Sequence, residues 1–262
     1  MLLIAIRQKQ SSRLEIRVRK ARRDSLATIT CFCAIITRMY GTKALELYEL
    51  LKRHGIVGAE GSISLTLMGT ELKVNDKSAT GNLLQEWLGE WMTLNGVYNR
   101  GNPNTQEFPD FYLSDDDRVN LLEVKAFDFA NTPNFDVAQF DAYTRSLRTE
   151  AYKLDVDYLI LGYSLSNGVI KINGIWIKKI WEITCSMKEY AIRAQVKQGK
   201  IHNIRPYNFK TMSKGAQPFN SRVAFLNAIE ETLAKYTGDT ASAEEWLAEV
   251  GASYSEFAKT QP

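Results

Sequence analysis

The sequence predicts an α/β fold in which a central mixed β-sheet is flanked by helices. The apolar run DYLILGYS, from Asp157 to Ser164, does not alternate with polar residues, which is typical of a strand covered on both faces. Helical periodicities lie on either side of it, and several hairpin signals add antiparallel strands. At 262 residues, 45% hydrophobic and 24% charged, the composition is that of an ordinary globular protein.

In the first half of the chain, a helix is predicted from Thr42, which can cap it, to Gly55, which ends it. Ser62 to Asn75 alternates around Met68-Gly69-Thr70 and predicts a hairpin. A second helix follows Gly81. Its predicted inward residues are Leu83, Leu84, Trp87, Leu88 and Trp91.

The second half continues with elements of both kinds. The predictions are a helix from Asp136 to Leu154, two strands within Gly168–Ile183 turning at Asn173-Gly174, a strand pair within Ala194–Ile204, a helix over 221–236, and a tail helix from Ser242 with a Ser242/Glu245 capping box.

Composition excludes several classes of function. His54 and His202 are the only histidines, which argues against nucleases and hydrolases built on a histidine base or on zinc. Cys31, Cys33 and Cys185 have neither zinc spacing nor a disulfide framework, which favours a reducing cytoplasm. No apolar run is long enough for a membrane helix.

Charge is unevenly distributed along the chain. Residues 39–170 hold eleven basic residues against nineteen acidic ones, whereas residues 171–222 hold eleven against two. A segment this basic indicates a polyanionic partner such as DNA, although a solvated lysine-rich surface would have the same composition.

Residues 1–38 form a basic extension that differs from the rest, with nine basic and two acidic residues. Its order of charged and apolar stretches does not match a signal peptide. A DNA-binding arm is one interpretation. The preferred one is a mis-assigned start, since Met39 opens a well-formed element; residues 39–262 would then be the functional domain.

The segment from Phe108 to Phe127, FPDFYLSDDDRVNLLEVKAF, carries the chemistry and is called here the catalytic hairpin. A turn at Ser114 to Arg118 would bring Asp110 beside Glu123 and Lys125. Glu123 and Lys125 are two apart on a strand, so their side chains leave the same face. The turn residues Asp115, Asp116 and Asp117 fit a hairpin turn better than a metal site.

Two carboxylates and one ammonium suit metal-assisted phosphodiester hydrolysis. Mg²⁺ prefers oxygen ligands and retains waters, so Asp110, Glu123 and the carbonyl of Val124 form a sufficient open site. Lys125 could hold the attacking water or stabilise charge in the transition state. An ordinary surface hairpin with internally paired charges is the structural alternative.

Pro109-Asp110 followed by Glu123-Val124-Lys125 resembles the PD-(D/E)XK nuclease motif, and its surroundings resemble type II restriction endonucleases. Downstream, the buried strand, the Ile180-Trp181-Glu182 hairpin end and Ile204-Arg205-Pro206-Tyr207-Asn208 resemble enzymes of the NgoBV and NlaIV kind. The resemblance covers about residues 40–235 and implies a restriction-endonuclease-like core.

The resemblance also implies roles. Asp110 and Glu123 would be metal ligands and Lys125 the water-orienting base or charge stabiliser. Glu86, on the helix before the hairpin, would be an auxiliary acid, with a solvent-facing glutamate as the plain alternative. Glu90, one turn later, competes for this role.

For DNA contact, the polar residues of one loop are the candidates: Arg205, Asn208, Lys210, Lys214 and Gln217. Arg reads guanine, Asn and Gln read adenine, and lysines mostly hold phosphates. Lys178 and Lys179 would touch phosphates or solvate a strand. A solvated connector is the alternative for the loop.

These observations predict a Mg²⁺-dependent type II restriction endonuclease that cleaves double-stranded DNA. The family resemblance further implies a homodimer whose two-fold axis matches that of the DNA, and a DNA methyltransferase with the same target site. The alternatives are a repair or junction nuclease without sequence specificity and a catalytically idle DNA-binding protein on the same fold.

Overall fold

A six-stranded mixed sheet forms the centre of the computed structural model, which describes residues 42–104, 107–211 and 217–261. Its strands are β1 (Glu60–Ser62), β4 (Arg100–Gly101), β5 (Phe111–Tyr112), β6 (Leu121–Asp128), β8 (Asp157–Ser166) and β9 (Val169–Lys178), in the order β1-β9-β8-β6-β5-β4. Only β6 and β8 are parallel. The predicted extension over residues 1–38 and the predicted contact residue Lys214 lie outside the described residues.

Two smaller sheets and five helices complete the described elements. They are β2 (Ser64–Leu67) with β3 (Thr70–Lys73), β7 (Ala138–Gln139) with β11 (Lys200–Ile204) and β10 (Ala194–Lys197), and helices α1 (Thr42–Arg53), α2 (Lys77–Leu94), α3 (Phe140–Leu147), α4 (Arg222–Thr237) and α5 (Thr240–Lys259). Short 3₁₀ helices span Ala151–Asp155 and Ile180–Glu182.

The two faces of the large sheet are covered by different helices. On one face, Leu122 and Val124 of β6 pack in a cluster with residues of α1 and α2. On the other, Leu121 and Phe127 pack with residues of α3, α4 and α5. This division follows from the two-residue period of a strand, and it leaves β6 and β8 covered on both sides.

Several predictions are confirmed by this architecture. The fold is α/β with a central mixed sheet, the hairpin around Met68-Gly69 is present, and DYLILGYS lies within β8. Met68 and Gly69 both have positive φ, as the type I′ turn of a two-residue hairpin requires.

The predicted turn at Asn173-Gly174 is wrong. β9 runs straight through this dipeptide, and the hairpin closes instead at Asn167-Gly168, where both residues have positive φ. Opposite strand β8 the register shifts between Gly162 and Tyr163, so that Asn173 is the extra residue of a bulge.

Three helix predictions also need correction. In α2, Leu84, Leu88 and Met92 are buried, whereas Leu83 and Trp87 are each 37% exposed rather than inward. The helix predicted over 136–154 is divided among β7, α3 and a 3₁₀ helix. The tail helix begins at Thr240, and Asp239 caps it by accepting from the Ser242 amide, in place of the predicted Ser242/Glu245 box.

Within the described ranges, no helix has the length and apolar character needed to cross a membrane.

Trp176 explains the glycine pair Gly162 and Gly174, which lie opposite each other on β8 and β9. A Cβ on Gly174 would lie 2.6 Å from the Trp176 ring, and one on Gly162 would lie 2.8 Å from Phe129. Both distances are shorter than van der Waals contact allows, so the indole packs flat against the sheet only because these positions lack side chains.

We therefore expect Gly162→Ala to lower the free energy of unfolding by about 1–3 kcal/mol, because the aromatic rings must move. Gly251→Ala is the control, since no atom lies within 4 Å of a Cβ there. Gly251 lies inside α5, where alanine should stabilise by roughly 0.5–1 kcal/mol. Urea unfolding would measure both, and equal effects would contradict the packing argument.

Candidate active site

The catalytic hairpin is formed by β5 and β6. Phe111 pairs with Leu122 and Tyr112 with Leu121, so the same register extended by one residue sets Asp110 opposite Glu123. The Asp110 carboxylate accepts a hydrogen bond of 2.7 Å from the Val124 amide. The structure therefore brings Asp110 to Glu123 as the sequence spacing predicts, and gives the Val124 N–H a positioning role that the sequence did not reveal.

Glu123 and Lys125 lie on the central strand β6, on the face that also carries Leu121 and Phe127. The Lys125 ammonium lies 2.8 Å from Glu123 Oε1. The other carboxylate oxygen, Oε2, is buried and has no hydrogen-bond partner among the described residues. A buried acceptor without a partner is costly, and a bound cation or water would satisfy it.

Burial dominates the electrostatics of both carboxyl groups. It raises the pKa of Glu123 to about 7, against the lowering effect of the Lys125 charge. It also raises the pKa of Asp110, although the hydrogen bond from Val124 opposes the shift. Burial disfavours the Lys125 ammonium too, but the attraction of Glu123 and Asp110 outweighs it and raises its pKa. Lys125 therefore stays charged. The cost of desolvation appears instead in the raised pKa values of Glu123 and Asp110.

These donors fit a hard divalent cation. Asp110 and Glu123 supply two carboxylates, and Oε2 of Glu123 lacks a partner that a cation would provide. Among the described residues no group of three or more His, Cys, Asp or Glu side chains is gathered as a metal site. Two carboxylates and a backbone carbonyl therefore remain the predicted ligand set, with waters filling the other positions.

A cleft of about 610 Å³ opens beside Asp110. Asp110, Gln85, Glu86 and Glu90 all line it. Glu86 is exposed, and Gln85, its neighbour on α2, is the helix residue that hydrogen-bonds Asp110. Sequence reasoning missed Gln85, because an amide has no charge to single it out and the facing side of the helix was assigned incorrectly.

The three aspartates of the hairpin turn each have a structural partner. Tyr98 donates to Asp115 at 2.5 Å, Arg100 pairs with Asp117, and the Arg118 amide donates to Asp116. These contacts fix the turn and so hold β5 against β6.

The chain is similar to known proteins in both sequence and structure. A family model described as NgoBV restriction endonuclease matches residues 41–261. The chain belongs to this family. Two curated relatives are similar to this chain over most of their own lengths. The type II restriction enzyme NlaIV of Neisseria lactamica is 42% identical to it over 188 residues, which are 71% of this chain and 77% of that enzyme. The type II restriction enzyme NgoBV of Neisseria gonorrhoeae is 36% identical over 155 residues, 57% of this chain and 86% of that enzyme.

A solved structure of NlaIV restriction endonuclease superposes with a TM-score of 0.77 at 35% identity, covering 86% of this chain and 92% of that one. The resemblance to type II restriction endonucleases and the restriction-endonuclease-like fold are thus confirmed. The roles of individual residues stay predictions.

In this member of the NgoBV family, the predicted DNA-contact loop lies against strand β6. Phe209 packs on Phe127 with ring centroids 6.0 Å apart, and Lys210 donates to the carbonyls of Phe129 and Asn131 at 2.5 and 2.6 Å. Tyr207 and Phe209 are buried, so they anchor the loop. The loop is thereby fixed next to the end of β6.

The predicted contact residues differ in their freedom to bind DNA. Arg205 pairs with Asp136, Asn208 donates to Thr211 at 2.8 Å, and Gln217 is exposed. Lys210 is largely committed to its two carbonyls.

The strand-end lysines also differ from each other. Lys179 is buried and lies 2.7 Å from Asp157, so the prediction that it touches phosphate or solvates a strand is wrong. A buried ammonium is tolerated in the core only where it is paired, as Lys179 is with Asp157. Lys178 lies over the Phe209 ring, and burial lowers its pKa.

We expect the affinity for a divalent cation to fall about tenfold for each pH unit below about 7 and to level off above it. The sign follows because a cation binds ionised Glu123, whose pKa is raised. Calorimetric titration of Ca²⁺ without DNA would measure this. Glu71→Gln on β3 should leave the profile unchanged, and a flat profile in the wild type would contradict the assignment.

Glu86 and Glu90 form a matched pair for testing the auxiliary acid, since both line the cleft one turn apart on α2. If Glu86 serves the metal or its water, Glu86→Gln should lower cleavage about tenfold at limiting Mg²⁺ and less at saturation. Glu90→Gln should behave as wild type. A reversed order would transfer the role to Glu90.

Proposed function

We propose that this chain is a Mg²⁺-dependent type II restriction endonuclease that cleaves double-stranded DNA at a short specific site. Membership in the NgoBV family gives the reaction class, and enzymes of this class are site-specific endodeoxyribonucleases that generally use divalent metal ions. The observation that carries the metal assignment is the buried, partnerless Oε2 of Glu123 beside Asp110 and Lys125.

In this proposal, Asp110, Glu123 and the Val124 carbonyl hold the cation. When bound, Mg²⁺ neutralises phosphate charge and acidifies a coordinated water. The chain's own contribution is preorganisation: the Val124 amide fixes Asp110, and β6 fixes the spacing of Glu123 and Lys125. Lys125 remains charged and hydrogen-bonds the attacking water or the developing phosphate charge.

DNA must approach an acidic cleft, so binding needs a basic surface close by. Arg205 belongs to the loop that packs on β6, and Asp136, its ion-pair partner, is also close enough to Lys125 to raise its pKa. We propose that Arg205, Asn208, Lys214 and Gln217 contact the duplex there, while Lys210 mainly holds the loop in place.

Cutting both strands of a palindromic site calls for two active sites, and we propose a homodimer whose two-fold axis matches that of the DNA. A cognate methyltransferase sharing the target would protect the host genome. The cysteine usage of this chain favours a cytoplasmic setting.

Incubation of the purified protein with plasmid and Mg²⁺ tests this function. Discrete bands are expected, whereas a smear or structure-dependent nicking would indicate a repair nuclease, and no cleavage by the wild type would refute the enzyme assignment.

Lys125→Ala should reduce the cleavage rate at least about a thousandfold, because it removes the ammonium paired with Glu123 and the transition-state contact. Lys43→Ala, which removes a surface lysine of α1 paired with Glu46, should cleave normally. DNA binding in Ca²⁺, measured by gel shift, should persist in both variants and show that they are folded. Normal cleavage by Lys125→Ala would overturn the assigned role.

A further inference from the structure

The hairpin of β2 and β3 has one apolar face and one polar face. Leu65 pairs with Leu72 and Leu67 with Thr70, which places these four residues on one face, since cross-strand partners share a face and residues two apart share it too. Ser64, Thr66, Glu71 and Lys73 form the other face. This is the pattern of a sheet that is half buried.

No described residue covers the apolar face. Leu65, Leu67 and Leu72 are 55%, 66% and 61% exposed, and Met68 at the turn is 97% exposed. None of them belongs to either hydrophobic cluster of the described part of the chain. Contiguous exposed apolar residues on a folded element usually mark an interaction surface.

The hairpin is nevertheless held firmly at its base. The Ile63 amide donates to the Gly168 carbonyl at 2.7 Å, the Val74 amide donates to the Ile63 carbonyl at 2.9 Å, and the Gly168 amide donates to the Asn75 side chain at 2.9 Å. Gly168 also packs against Lys73, where a Cβ would lie 2.8 Å away. An isolated two-stranded hairpin is marginal in water, so this anchoring presents the apolar face in a fixed orientation.

We propose that the apolar face of this hairpin docks against the same face of a second copy of the chain. The inference rests on the proposed function, because the described residues contain one Asp110–Glu123–Lys125 set and a duplex has two antiparallel strands to cut. Two copies related by a two-fold axis present two such sets in opposite directions.

The chemistry of the face suits a two-fold contact. Isologous docking sets the same patch against itself, and residues near the two-fold axis meet their own copies, so like charges there would repel. The apolar face carries no charge, and Glu71 and Lys73 lie on the opposite face. Stable interfaces bury roughly 800 Å² per partner, more than four apolar side chains supply, so the hairpin forms the apolar centre of a larger contact.

Sedimentation equilibrium of the full chain, without DNA or metal, tests the proposal. The wild type should be a dimer, and the double variant Leu65→Glu, Leu72→Glu should dissociate with an affinity at least about 100-fold weaker, because like charges would meet at the axis. Ser64→Glu, on the polar face opposite Lys73, should remain dimeric. A monomeric wild type, or a double variant as dimeric as the wild type, would overturn the proposal.

Cross-linking provides a second measurement that does not depend on the double variant folding. In a chain with Cys31→Ser and Cys33→Ser, oxidation of Thr70→Cys should give a disulfide-linked dimer, whereas Thr66→Cys on the polar face should not. Cys185 is buried and should not interfere. Equal cross-linking of both variants, or of neither, would count against the face-to-face contact.

The outcomes separate this proposal from the proposed function. Dissociation of the double variant, measured without metal or DNA, tests only the hairpin contact. Absence of plasmid cleavage by a dimeric wild type would refute only the proposed chemistry. If the double variant stays dimeric but loses DNA affinity, the face contacts DNA and the proposal is wrong. If deletion of residues 1–38 alone exposes the face and changes the association state, an intramolecular cover is the correct explanation.

Discussion

The ion pair between Glu123 and Lys125 is the interaction on which the site depends. Both side chains come from the central strand β6, which is covered on both faces, so neither charge is fully hydrated. A buried ion pair seldom adds net stability, since the cost of desolvating the charges is comparable to their attraction. The pair nevertheless lies on the strand in the middle of the sheet, where it holds Lys125 2.8 Å from Glu123, with Asp110 opposite Glu123 in the register of β5 and β6.

The raised pKa values of Glu123 and Asp110 have the same origin. In the absence of a cation, one lysine balances two buried carboxylates, and the second carboxylate oxygen of Glu123 lacks a partner. Folding thus leaves a site that is short of positive charge. A divalent cation would supply the missing positive charge. The free energy that burial of the carboxylates costs in the metal-free chain would then appear as tighter binding of the metal.

The sequence predicted the catalytic hairpin well because the information is local. Asp110 and Glu123 are placed together by a short turn, and the two-residue period puts Lys125 on the same face. Residues whose positions depend on tertiary packing were harder to predict. Leu83 and Trp87 were expected to point inward, but the inward side of α2 is set by its contact with β6, which no helical period specifies.

Two of the three Asn-Gly dipeptides in the chain show the same limit. Asn167-Gly168 and Asn173-Gly174 carry the same turn signal, and only the first forms a turn. The second must stay in strand because residues 175–178 pair with β8 and because Trp176 occupies the space over Gly174. A local propensity worth about 1 kcal/mol yields to the burial of an indole and a strand's worth of hydrogen bonds.

Packing also places the loop predicted to contact DNA next to the strand that carries Glu123 and Lys125. Phe209 lies on Phe127, which is two residues from Lys125 on the same face of β6. Lys210 ties the same loop to the carbonyls just after β6, and Arg205 neutralises Asp136, which also acts on Lys125. The loop predicted to contact DNA is therefore fixed beside Lys125 by a ring contact, two hydrogen bonds and an ion pair, while the Lys125 ammonium stays charged.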